Sequence, residues 1–225
     1  MSEATKLKEF QRAHRDNWGA GLSLRVHRAI SWLARAEQER GQALDEGDSD
    51  AEFIFLWISF NAAYANEYDA ISRDKTRDLY TTFFERLVGL DDERKLYNII
   101  WGQYSSTVRS LLDNQYVYQP FWDCEIGKRE PDCWQESFEQ AKEVAKRALA
   151  KQDVVTVWSI VMDRLYTLRN QLIHGGATWN GSWNRDQLRD ATRLLGELMP
   201  VVIQLMMDNA HLVWGDAGYF VGDKG

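Results

Sequence analysis

The sequence predicts an all-α protein, on three observations. Apolar residues recur at three- and four-residue spacing through most long segments, the period of a helix face. No run of any length alternates apolar and polar residues as a half-buried strand does. Gly, Pro, Asn and Asp gather mostly between the periodic segments, where they end helices. The 225 residues show no internal repeat and are read as one domain, a helical bundle with an N-terminal arm over 1–21, an irregular insertion over 114–133 and a loose tail over 215–225.

Residues 6–15 form a polar, basic segment suited to a short helix or arm, which Asn17-Trp18-Gly19-Ala20-Gly21 breaks. A helix follows over about 22–40 on the stripe Leu22, Val26, Ala29, Ile30 and Leu33, with Arg25, Arg28 and Arg35 off it. After a polar, acidic loop, Ser49 with Glu52 forms a capping-box pattern that opens a helix over about 50–68. That helix carries two apolar stripes, Phe53-Leu56-Trp57-Phe60-Tyr64 and Ile54-Ile58-Ala62-Ala65, so it is expected near the centre of the bundle. Asn61 lies within it, where an amide must find partners or cost a few kcal/mol.

A third helix spans about 75–88 on Leu79, Tyr80, Phe83, Phe84 and Leu87, and a turn leads to a fourth over about 93–112. Pro120, Gly127 and Pro131 make 114–133 irregular. Tyr116, Tyr118, Phe121 and Trp122 are too apolar to leave in water, so this stretch is read as an ordered insertion with a short helix, not a linker. Asp132 caps a fifth helix, which runs to about 151 with Trp134, Phe138, Ala141, Val144, Ala145 and Ala148 on one face. A sixth spans about 154–173. Asn184 with Gln187 resembles another capping pair, ahead of a last helix to about 211 that Pro200 should kink or locally break.

The bulk composition, 44% hydrophobic and 27% charged, is that of an ordinary globular protein, and ten Trp should place large rings in its core. The longest apolar run, eight residues over 53–60 with Ser59 counted, is too short to span a bilayer. The opening Met1-Ser2-Glu3-Ala4-Thr5-Lys6 has no signal-peptide core. A cytoplasmic location without a membrane partner is expected. Cys124 and Cys133, separated by eight residues, fit no common zinc pattern and are expected as free thiols. A net charge of −7 argues against a protein that coats long nucleic acid, but leaves room for a small cleft holding a few nucleotides.

The chemistry concentrates in Arg169-Asn170-Gln171-Leu172-Ile173-His174-Gly175-Gly176. On a continuous helix, five residues turn through about 140°, so Arg169 and His174 do not share a face. They converge if the helix ends near Ile173, as the glycine pair suggests, or if two copies of the motif meet across a dimer interface. The terminal carbonyls and helix dipole favour a protonated imidazole, and a histidine can take or give a proton at cellular pH. Arginine supplies a fixed charge and a planar fork for phosphate oxygens, and Asn170 donates and accepts without titrating. These are suitable parts for RNA transesterification with no metal or cofactor. Structural roles suit the same residues: Arg169 paired with an aspartate, His174 capping the helix.

The RNQLIHGG stretch, on the penultimate long helix, resembles the R-x(4–6)-H motif of HEPN domains, which commonly carry a polar residue after the arginine. FIFLWISFNAAY, over 53–64, resembles the corresponding helix of the larger HEPN-like proteins, the ApeA-like type. Together the two stretches cover a minority of the chain. The resemblance implies an HEPN-like bundle with additional helices, assembled as a homodimer. Two motif helices would then line one cleft that cuts single-stranded RNA without metal. It implies that Arg169 stabilises the scissile phosphate, His174 acts as acid or base and Asn170 orients them. Asn61 would support the site, the alternative being a satisfied core amide. The implied setting is a toxin–antitoxin or antiphage system, with an antitoxin or defence partner protein. Gly176 stands where one toxin subgroup has a tyrosine two residues after the histidine, so control through such a tyrosine is not implied. Family members without nuclease activity supply the alternative, a non-catalytic dimeric module that binds nucleic acid or a protein. Arg25 and Arg28 are candidate guides for RNA, against a plain solvated face. Trp179 and Trp183 are candidate stacking platforms, against packing within the helix connection.

Overall fold

The helical periodicity becomes ten α-helices, with no strand, among the described residues of the computed structural model: 1–42, 49–64, 73–128, 130, 134–182 and 184–215. Ser2 opens α1, Glu3–His14, by accepting the Thr5 N–H at 3.2 Å. A 3-10 turn, Arg15–Asn17, leads to α2, Ala20–Gln42, whose expected stripe is buried from Leu22 to Leu33. α3, Asp50–Tyr64, lies along α2 and meets the last helix, α10, Arg185–Asp208. The Ser59 hydroxyl ties α3 to α2 by donating to the Ala29 carbonyl at 2.8 Å. Glu52 does not serve as the expected capping residue. Its carboxylate turns to Arg40, accepting from Nε at 2.7 Å and Nη2 at 2.6 Å. A side chain at Gly196 of α10 would collide with that guanidinium. Burial pushes the Glu52 carboxyl above its usual range, with Arg40 opposing the rise.

α4, Arg73–Leu90, packs on α9, Val154–Ile173. The Phe84 ring stacks on Trp158 at 5.6 Å, and Trp158 Nε1 donates to the Leu96 carbonyl at 3.2 Å. Where the sequence predicts one helix over 93–112, the structure has three pieces: α5, Lys95–Asn98; a π-helical turn, Ile99–Gln103; and α6, Ser105–Asp113. Asp91 starts the first piece, accepting the N–H groups of Lys95 at 2.9 Å and Leu96 at 2.7 Å. The break has a packing reason. On a straight helix Val108 lies about 120° round from Leu96, and the extra residue of a π turn takes back about 100°. Leu96, Ile100, Val108 and Leu111 are all fully enclosed as a result.

The insertion is ordered, as expected, with a 3-10 turn, Gln115–Val117, and a short helix α7, Gln119–Glu125, whose first turn holds a proline. Tyr118 and Phe121 form a small second core with Phe138 of α8, Gln135–Lys151. The Arg164 guanidinium of α9 lies over the Tyr118 ring at 4.4 Å. Cys124 is disulfide-bonded, which corrects the free-thiol expectation: a bridge needs two thiols brought into the right geometry, not a framework of many cysteines. Cys133 and the expected cap Asp132 lie outside the described residues. Pro200 sits inside α10 without ending it. Trp214 is buried under the Arg86 guanidinium, 4.0 Å from the ring centroid, so the chain is held as far as Gly215. The rest of the expected loose tail, and the loop residues 43–48, lie outside the described residues. No helix among the described residues is long and apolar enough to cross a membrane.

Candidate functional site

α9 positions the motif. Asp153 starts it by accepting the Thr156 N–H at 3.0 Å. Every residue over 157–165 is buried, so the helix is enclosed on all sides there. Its first turn, Val154, Val155 and Thr156, is half-buried, and its last turns surface: Arg169, Asn170, Gln171 and Leu172 are half-buried, and Ile173 and His174 are exposed. The helix stops where the glycine pair predicts. Gly175 takes φ +70°, a left-handed conformation open to a residue without Cβ. Its N–H donates to the Leu172 carbonyl at 3.2 Å, and Gly176 N–H to that of Gln171 at 2.7 Å. This is a Schellman end, with His174 as the C-cap.

Arg169 and Asn170 are brought together directly: Arg169 Nη1 donates to Asn170 Oδ1 at 2.9 Å. The guanidinium therefore rests on an amide, not on the aspartate of the structural alternative. Arg169 Nε is buried and meets no hydrogen-bond acceptor among the described residues. A buried charged donor left so costs about 1–3 kcal/mol. His174 sits at the same helix end with its ring in solvent.

Asn61 is not brought to that end. α3 runs antiparallel to α9: Asp50 lines a small cavity with Leu168 and Leu172, and the Trp57 ring lies 6.2 Å from Tyr166. Asn61 is thus about 16 Å further along α3 than Asp50 and half-buried, away from the helix end it was expected to support and not enclosed in the core. Arg25 also departs from expectation. It is 0% exposed, with Nε donating to the Gly215 carbonyl at 3.1 Å and Nη1 to that of Ala63 at 3.0 Å. It is a structural tie in the core and cannot guide RNA from the surface. Arg28 is half-buried on α2. Trp179 is 64% exposed, as an open ring face requires, and Trp183 lies outside the described residues.

Two residues around the helix end went unread in the sequence. Asp50 holds the loop after the motif: Oδ2 accepts the Asn180 N–H at 2.7 Å, and both oxygens meet the Arg185 fork at 3.2 Å. Gln171 of the motif bridges two segments, donating from Nε2 to the Tyr116 carbonyl at 2.7 Å and accepting from Asn184 Nδ2 at 3.0 Å. Asn184 stands at the N-cap position of α10, as the sequence predicts, but its side chain caps no N–H there. Its φ is +52°, and its amide serves Gln171. An aspartate at a helix start and a glutamine within a motif carry no local sign of such distant partners. Burial raises the phenols of Tyr64 and Tyr80, so both stay protonated and neither supplies a base. Compared with protein-family models, curated proteins and solved structures, the chain matches none.

Proposed function

We propose that this protein is a metal-independent endoribonuclease of the HEPN type, cutting single-stranded RNA at a homodimeric site built on the ends of two α9 helices. The bundle, with its added helices and insertion, is read as an HEPN-like scaffold. One observation carries the reading: Arg169, held on one side by Asn170, stands in the last turns of the same helix whose end presents His174 to solvent. A guanidinium with donors to spare is suited to a phosphate whose charge grows in the transition state.

The reaction that fits is attack by a ribose 2′-hydroxyl. One His174 imidazole takes the hydroxyl proton as the 2′-oxygen bonds to phosphorus. The bond from phosphorus to the 5′-oxygen breaks, and a second imidazole returns a proton to that oxygen. The products are a 2′,3′-cyclic phosphate and a 5′-hydroxyl. Arg169 stabilises the crowded phosphate, and Asn170 fixes the guanidinium. In this reading the protein works in the cytoplasm, in toxin–antitoxin or antiphage defence, under the control of a partner protein.

The test is cleavage of labelled single-stranded RNA in EDTA by the wild type and by Arg169→Ala and His174→Ala. Each substitution should slow cutting by about 100-fold or more. Equal cutting by all three proteins overturns the assignment. A second reading, a non-catalytic dimeric module, draws on Ile173 and Trp179, apolar side chains 48% and 64% exposed close to His174 in the chain. It predicts no cleavage by the wild type, and loss of partner binding or stability on Arg169→Ala.

A further inference from the structure

At the far end of α10, about 35 Å along that helix from the loop behind the motif, lies a cleft of about 420 Å³, within the range of small-molecule sites. One wall is the end of α1 and the turn after it, with Phe10, His14 and Trp18. The other is the end of α10 and the residues that follow, with Asp208 and His211. Two helices therefore finish at one cleft, α1 at His14 and α10 at Asp208. The last carbonyls of a helix lack intrahelical partners and carry the negative end of its dipole, so both ends favour a positive charge.

The side chains fit that charge. Asp208 Oδ1 accepts from Gln204 Nε2 at 2.7 Å, and among the described residues its second oxygen meets no donor. Neither Lys nor Arg lines the cleft among the described residues. His14 stacks on Phe10 with ring centroids 4.2 Å apart, and its Nδ1 lies 2.8 Å from the Phe10 carbonyl. A carbonyl only accepts, so Nδ1 carries the proton, and Nε2 of the neutral ring is left as an acceptor. Trp18 is half-buried, packs against the main core and lends the cleft an aromatic wall. A carboxylate, an imidazole acceptor and an aromatic surface beside two negative helix ends call for a planar cation rich in donors. A guanidinium has five N–H donors in a plane that stacks on rings. An anion would be repelled, and a neutral ligand would leave the Asp208 charge unanswered.

We infer that this cleft binds a guanidinium group, carried by an arginine side chain of a polypeptide or by a free small molecule. The inference does not rest on reading the end of α9 as an RNA-cleaving site, since no residue of α9 lines the cleft. The test is NMR on the isotope-labelled full chain, following the Trp18 indole N–H signal, which is assigned by its loss in Trp18→Phe. Titrations at about pH 8, where imidazole side chains are neutral, use ethylguanidinium, a capped peptide with one arginine between glycines, and the same peptide with citrulline, which keeps the shape and loses the charge. The guanidinium probes should move the signal, and the arginine peptide should bind about tenfold tighter than the citrulline peptide. Asp208→Asn should weaken guanidinium binding by about fivefold or more, and so should His14→Phe, which keeps a ring on Phe10 but removes the acceptor, with the rest of the spectrum that of the folded protein. A peptide bound much tighter than ethylguanidinium assigns the group to a polypeptide, and equal binding assigns it to a small molecule. Equal binding of the arginine and citrulline peptides, no shift with either guanidinium probe, or an affinity unchanged by Asp208→Asn overturns the inference.

Discussion

Two arginines of this chain stand in opposite circumstances, and the contrast yields a measurement. Arg25 is sealed in the core with its fork spent on the carbonyls of Ala63 and Gly215. Arg169 is half-buried with Nε unmatched among the described residues and a neutral amide on Nη1. Removing Arg25 orphans two carbonyls and opens a cavity, so Arg25→Ala should lower folding stability by about 2–3 kcal/mol. Removing Arg169 takes away a donor that the fold does not satisfy, so Arg169→Ala should change stability by less than about 1 kcal/mol. Urea titrations followed by tryptophan fluorescence read both numbers. Were Arg169→Ala to cost as much as Arg25→Ala, the residue would be a structural one and the non-catalytic reading would gain.

Elements were legible where local chemistry decides them. α9 runs over the predicted span, because Asp153 and the glycine pair act within one turn of its ends. The single helix over 93–112 failed because its π turn answers to the core: Val108 must face inward with Leu96, which no local preference encodes. The same limit applied to single residues. Arg25 looked solvated because the carbonyl of Gly215, 190 residues away, could not be foreseen. Of the candidate site, the helix end and the Arg169–Asn170 contact were legible as neighbours in the chain. The tie from the motif to the insertion was not, since Gln171 meets Tyr116 across 55 residues. The helix end is open to a direct test. Gly175 has free space for a Cβ but a φ of +70°, so Gly175→Ala should cost about 1 kcal/mol from backbone strain alone. Gly89→Ala, in open space within α4 and at ordinary φ, should be neutral or stabilising. Equal effects of the two substitutions in denaturant titrations would remove the left-handed cap from the account.

Across the whole molecule, one nearly buried ion pair joins parts far apart in the chain. The Asp50 side chain is 3% exposed and that of Arg185 16%, and Asp50 also takes the Asn180 N–H. The start of α3, the loop behind the motif and the start of α10 thus share one carboxylate. Low exposure makes the pair expensive to break, not a large net source of stability. Asp50→Ala leaves the Arg185 charge without this carboxylate and Asn180 N–H without its acceptor, so a loss of about 3–5 kcal/mol is expected. Replacing both partners by apolar residues, Asp50→Leu with Arg185→Met, should cost clearly less than the two single changes summed, because no unpaired charge stays behind. Additive losses would mean that the two residues act independently.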